Sequence, residues 1–175
     1  MPGRFLFHAT IAFVANDRAT IYIETTIFGY LTSRLPPDPI VAGQMLETRK
    51  WWDNSRAAFD LYVSDVVIEE ISRGDPEAAA QRLEKVADLP LVKASDAATE
   101  LAIDLISESA LPGKARVDAY HVGIAATSGI EYLLTWNCRH LANAALRTKI
   151  ESVCRKHGVE PPIICTPTEL SEVHP

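Results

Sequence analysis

Short, wholly apolar runs alternate along this chain with longer amphipathic stretches. Ile21-Tyr22-Ile23, Leu61-Tyr62-Val63, Leu89-Pro90-Leu91-Val92, Tyr132-Leu133-Leu134-Thr135 and Pro162-Ile163-Ile164-Cys165 read as strands. Their apolar positions are continuous, the pattern of strands covered on both faces. Helical spacing fills the intervals. Val41, Met45, Trp52 and Phe59 recur at four and seven residues and predict one face of a helix opened by Asp38-Pro39. Leu101, Leu105 and Ile106 share a side of a helix from Ser95-Asp96 to about Ser109. Leu146, Ile150 and Val153 do the same from about Ala142 to His157, where Gly158 stops the helix.

Local signals place the other boundaries. Thr25 or Thr26 caps a helix near Ile27 to Ser33. Ser64-Asp65 caps one that carries Val66, Val67, Glu69, Glu70 and Ile71 towards Gly74, and Asp75-Pro76 opens the next. A helix from Lys114 to Ser128 ends at Gly129. Thr166-Pro167-Thr168-Glu169 is a capping box for a short last helix. Strands alternating with helices predict an α/β fold with a parallel sheet between helical layers. Trp51 and Trp52 read as core or interface packing rather than base-stacking groups.

The length of 175 residues suits one domain, taken as residues 20–175. Residues 1–19 read as an N-terminal extension outside it. Their apolar run Phe5–Ala15 follows Arg4 like a secretion signal, but His8 interrupts it and Phe13-Val14-Ala15 is a poor small-x-small cleavage site. No run approaches the roughly 18 apolar residues of a membrane helix, so no membrane partner is expected. Net charge is −6, which excludes nucleic-acid binding through overall basicity; contact with phosphate requires local cations or a bridging metal. Cys138, Cys154 and Cys165 are odd in number and fit neither a zinc site nor a disulfide framework, as expected of reduced thiols in a cytoplasmic protein.

Several chemistries lack their motifs. There is no Gly-x-Gly-x-x-Gly after a strand, no phosphate loop and no Gly-x-Ser-x-Gly elbow. What remains is a set of acids at strand ends and helix starts. Glu24 ends the first strand, and Glu69 and Glu70 follow the second. Asp118 lies in the first turns of the helix before the fourth strand, and Asn137 lies just past that strand. Adjacent helical residues point about 100° apart, so one of Glu69 and Glu70 faces the site. Oxygen ligands of this kind suit Mg²⁺ or Mn²⁺. Such an ion relieves the repulsion of packed carboxylates and brings a phosphodiester to an acidic site.

At these residues the chain resembles the PIN domain family, close to the VapC-type toxin ribonucleases of toxin–antitoxin pairs. The likeness runs from about Thr20 to Leu170. Its motifs are Ile21-Tyr22-Ile23-Glu24-Thr25-Thr26, the stretch from Val63 to Ile71, the stretch from Asp118 to Ala125, and Leu133-Leu134-Thr135-Trp136-Asn137. The resemblance implies a three-layer α/β/α sandwich around a parallel sheet of about five strands. It also implies a Mg²⁺- or Mn²⁺-dependent endoribonuclease, an RNA substrate, a homodimer and an antitoxin partner. By position, Glu24, Glu70 and Asp118 match the family's metal-binding acids. Asn137 matches a position usually held by Asp, and Thr135 the hydroxyl residue two places before it. Two departures stand out: Glu24 is one methylene longer than the usual Asp, and Asn137 is neutral. His121, three residues after Asp118, is a supporting residue that orients water or touches phosphate, or else a packed histidine. Lys114, Arg116, Arg139 and His140 flank the mouth as RNA-contact candidates. Two alternatives stay open: a catalytically weakened PIN-like module acting by RNA or protein binding, and an unrelated α/β phosphate-handling enzyme.

Overall fold

The structure is a computed structural model that describes residues 18–171. The expected extension therefore lies outside the described residues, apart from Arg18 and Ala19. The strands are β1 (Thr20–Ile23), β2 (Asp60–Ser64), β3 (Leu91–Val92), β4 (Tyr132–Leu134) and β5 (Ile163–Cys165). The helices are α1 (Thr25–Thr32), α2 (Pro39–Asn54), α3 (Asp65–Ile71), α4 (Pro76–Val86), α5 (Asp96–Ser107), α6 (Arg116–Thr127), α7 (Ala144–Lys156) and α8 (Pro167–Ser171).

All five strands are parallel, in the order β3-β2-β1-β4-β5. Register pairs Ile21 with both Leu61 and Tyr132, so β1 is the middle of the sheet. Helices cover the sheet in two groups: α1 to α4 with α8 pack together, and α5, α6 and α7 pack together. The result is the expected α/β/α sandwich. β1 is buried along Ile21, Tyr22 and Ile23, each with 0% exposure, which explains its uninterrupted apolar sequence.

Several local expectations shift for physical reasons. The first helix is capped by Glu24, whose side chain accepts from Thr26 N, rather than by Thr25 or Thr26. Those hydroxyls are spent elsewhere. Phe59 is not on α2, which ends at Asn54 before a short 3₁₀ turn, Arg56–Ala58. It is still buried, because the turn folds its ring against Trp51 at 6.1 Å. The third strand shrinks to Leu91–Val92, since Pro90 has no N–H to extend the ladder. Trp51 and Trp52 both belong to the core, as expected. Cys138, Cys154 and Cys165 are free thiols; burial pushes Cys154 up to about 11 and Cys165 up to about 12. No helix among the described residues is long and apolar enough to cross a membrane.

α6 carries Asp118 and is buried nearly all round, through Ala119 and every residue from His121 to Ala126. It can sit that deep because Gly123 lets α5 approach closely. A Cβ on Gly123 would lie 2.5 Å from the Ala98 carbonyl oxygen, a backbone atom that cannot rotate away. Gly123→Ala therefore forces the two helices apart. We expect a loss of about 1–3 kcal/mol, read from the urea midpoint at constant slope.

Candidate active site

The strand order reverses at β1, with β2 and β3 on one side and β4 and β5 on the other. Ligands of open α/β sheets bind at such a point, beyond the carboxyl ends of the strands. The proposed acids stand there with Thr135 and Asn137. Glu24 follows β1, Glu70 lies on α3 after β2, and Thr135 and Asn137 follow β4. Asp118 occupies the first turn of α6.

Glu24 is buried, with 4% exposure. Its Oε2 accepts from Thr26 N at 3.1 Å, Thr26 Oγ1 at 2.5 Å and Thr135 Oγ1 at 2.8 Å. Backbone donors fix the direction of both hydroxyls. Thr26 Oγ1 accepts from Trp136 N and Thr135 Oγ1 from Asn137 N, each at 2.9 Å, so each hydroxyl proton is left for Glu24. Oε1 has no partner among the described residues. Burial pushes the Glu24 carboxyl up from its ordinary value, against the lowering influence of the Thr26 and Thr135 hydrogen bonds.

Glu70 is the inward member of its pair. Glu69 is exposed and bonded to Arg73 on the next turn of α3. Oε2 of Glu70 accepts from Thr25 Oγ1 at 2.6 Å and meets His121 Nε2 at 2.9 Å. Its Oε1 likewise has no partner among the described residues. Burial pushes this carboxyl up, but the hydrogen bonds from His121 and Thr25 outweigh it and the net direction is down. His121 is fully buried and turns its Nδ1 to Tyr22 Oη at 2.8 Å. Tyr22 Oη in turn meets Ser64 Oγ at 2.7 Å.

Asp118 forms a second cluster. Its Oδ1 accepts from Asn137 Nδ2 at 2.9 Å and its Oδ2 meets His140 Nδ1 at 2.8 Å. Asn137 Oδ1 accepts from His140 N at 3.1 Å, closing a small ring of bonds. The turn Thr135–Asn137 joins the clusters, since Asn137 bonds Asp118 through its amide while its backbone N–H orients the Thr135 hydroxyl towards Glu24. Asn137 thus acts here as a donor to the third acid.

Among the described residues, the carboxylate and imidazole atoms close enough to share an ion belong to Glu24, Glu70 and His121, all within 4.8 Å of one another. Asp118 is outside that group. The donor set fits a hard divalent cation, because each glutamate is fixed through one oxygen and leaves the other without a partner. A groove of about 580 Å³ reaches Glu24 and Glu70 and is also lined by Thr25, Tyr30 and Arg82. A second hollow of about 510 Å³ is lined by Lys114, Arg139 and His140. Arg116 is apart from both, beside Tyr120 and Ile106. His140 was expected as a phosphate contact only; its bond to Asp118 was not legible. Tyr22, Ser64, Thr25 and Thr26 were read as strand or cap residues, and only their shared position at strand ends hinted at more.

No protein-family model and no curated protein matches this chain. Solved structures do. The VapBC2 complex of Rickettsia felis, bound to a DNA fragment from its promoter, has a chain 15% identical to this one. That match has a TM-score of 0.48 and covers 84% of this chain and 98% of that one. VapC20 of Mycobacterium tuberculosis, a toxin that cleaves the Sarcin-Ricin loop, is 14% identical with a TM-score of 0.52. The match covers 68% of this chain and 91% of that one. The parallel sheet between helical layers and the likeness to VapC20 agree: this chain has the fold of a VapC-type PIN domain.

Proposed function

We propose that this protein is a Mg²⁺- or Mn²⁺-dependent endoribonuclease and the toxin of a toxin–antitoxin pair. One observation carries the reading. At the carboxyl ends of neighbouring strands, Glu24 and Glu70 are each clamped through one oxygen, and the two carboxylates lie close enough together to share an ion. Glu24 and Glu70 would hold the ion, with Asp118, outside their 4.8 Å group, as the third acid. When bound, it supplies Lewis-acid chemistry, neutralising a phosphodiester that the acids alone would repel. The rest falls to the protein. Thr26 and Thr135 hold Glu24, and Thr25 and His121 hold Glu70. Asn137 and His140 fix Asp118. Lys114 and Arg139 are exposed at the rim beside His140 and attract the RNA backbone. Hydrolysis leaves 5′-phosphate and 3′-hydroxyl ends. The protein works in the cytoplasm as a homodimer and is restrained by an antitoxin.

A second reading, a PIN-like module that binds RNA or protein without efficient cleavage, has one observation in its favour. Both oxygens of Asp118 already have partners. Incubating the purified protein with a mixed RNA pool separates the two. Cutting with Mn²⁺ or Mg²⁺ that stops on adding chelator is the expected result. Folded protein that leaves the pool intact under every metal condition would favour the binding module.

A further inference from the structure

His121 has the ambiguous position. Its ring is close enough to Glu24 and Glu70 to join them as a metal ligand, yet its Nε2 also bonds Glu70. The hydrogen-bond chain behind it resolves the ambiguity. Val67 N can only donate, so Ser64 Oγ accepts from it at 3.3 Å. Among the described residues, the one acceptor left for the Ser64 hydroxyl proton is Tyr22 Oη, at 2.7 Å. Having accepted the Ser64 proton, the Tyr22 phenol, an O–H donor, still has its own proton to give. That proton is directed to His121 Nδ1 at 2.8 Å. An imidazole that accepts at Nδ1 carries its proton on Nε2, and Nε2–H faces the Glu70 carboxylate at 2.9 Å.

Running the chain backwards fails at both ends. Tyr22 would donate to Ser64, and the Ser64 hydroxyl, at 0% exposure, would be left with no acceptor. At the other end a neutral ring protonated on Nδ1 would turn a bare nitrogen lone pair to a carboxylate oxygen at hydrogen-bond distance. Every proton has a place in one direction only.

Resting on the metal-dependent reading above, we infer that His121 is a positioning residue for Glu70 and not a metal ligand. Ser64 and Tyr22, on adjacent strands β2 and β1, lock the imidazole in its Nε2–H tautomer. Together with Thr25, that N–H saturates Oε2 of Glu70. One oxygen, Oε1, is left to face the ion, in a fixed direction. An octahedral Mg²⁺ site tolerates little misplacement, so this orientation governs affinity.

The test uses the full chain. Calorimetry with Mn²⁺ compares wild type, His121→Gln and His121→Leu, with thermal melts to establish folding. Leucine removes the donor, and binding is expected to weaken about 10–100-fold. Glutamine carries an amide N–H that reaches Glu70, and binding is expected to return to within a few-fold of wild type. Nitrogen-15 spectra of the wild-type histidines with Mg²⁺ bound are expected to show the His121 proton on Nε2. Folded His121→Leu that binds Mn²⁺ as wild type does would overturn the inference alone. So would a proton on Nδ1 in the Mg²⁺-loaded protein, which would make Nε2 a ligand. Wild type that binds no Mn²⁺ would overturn the metal-dependent reading itself and this inference with it. Should the leucine variant not fold, the spectra and the glutamine variant still decide.

Discussion

Asp118→Asn is expected to lower metal-dependent RNA cleavage by at least about 100-fold while leaving the thermal melt within a few degrees of wild type. Two losses combine. The site around Asp118 already has a neutral residue at Asn137, so removing this charge leaves Glu24 and Glu70 as its acids. The substitution also disturbs the local bonds. Both Asp118 oxygens meet nitrogen atoms, Asn137 Nδ2 and His140 Nδ1. An amide turns one of those acceptors into a donor. If its NH₂ faces Asn137, two donors oppose each other and the amide of Asn137 must rotate, breaking its bond from His140 N. If it faces His140, the imidazole must accept at Nδ1 instead. Either way the ring of bonds is rebuilt around a weaker anion. Fold survives because Asp118 is only part-buried and in the first turn of α6. Initial rates on one RNA substrate in Mn²⁺, beside the two melts, make the comparison. Cleavage at the wild-type rate by the variant would remove Asp118 from the mechanism and leave the Glu24–Glu70 pair as the whole of the acidic site.

The sequence reading captured the scaffold and the acids more fully than the contacts between them. The parallel sheet was legible because Ile21–Ile23 and Tyr132–Leu134 are continuously apolar, which follows from burial on both faces; its strand order was not, because short apolar strands do not name their neighbours. Glu24, Asp118 and Asn137 stood out in the sequence because each stands at a strand end or helix start, and Glu70 because it follows the second strand by one short helix. The partners did not. Thr25 and Thr26 looked like helix caps, yet their hydroxyls serve Glu70 and Glu24. Tyr22 looked like an ordinary strand aromatic, but its phenol crosses 99 residues of sequence to reach His121. Spacing along one element shows which face a residue occupies. It does not show what a polar atom on that face meets when a different strand supplies the partner. Phe59 illustrates the same limit for packing: seven-residue spacing put it on α2, whereas a 3₁₀ turn delivers it to Trp51 by another route.

Glu24→Gln separates stability from activity in opposite directions. Glutamine keeps the carbonyl oxygen that accepts from Thr26 and Thr135 and sheds only the charge. Burial raises the folded-state pKa of Glu24 above its ordinary value of 4.5. The folded protein therefore holds that proton more tightly than the unfolded chain does. By linkage, stability from this group is greatest below pH 4.5, falls as pH rises through the folded pKa, and stays lowest above it. A neutral amide escapes that loss. In chelator at pH 7.5 the variant is thus expected to have a higher urea midpoint than wild type, and the gap should close as pH falls towards 4 (about the ordinary carboxylate value). Adding Mn²⁺ reverses the order. An ion that binds only the folded state stabilises it by about 2.7 kcal/mol at 100 times its dissociation constant, and wild type alone collects that term in full. Cleavage by the variant should drop by at least about 100-fold, since a ligand anion is gone. Equal midpoints in chelator across pH 4 to 8 would mean that Glu24 is not strained as an anion in the empty site. A variant that gained as much from Mn²⁺ as wild type would exclude Glu24 as a ligand. The expected crossing, amide ahead without the ion and acid ahead with it, is the behaviour of a carboxylate whose charge the fold tolerates because a cation shares it.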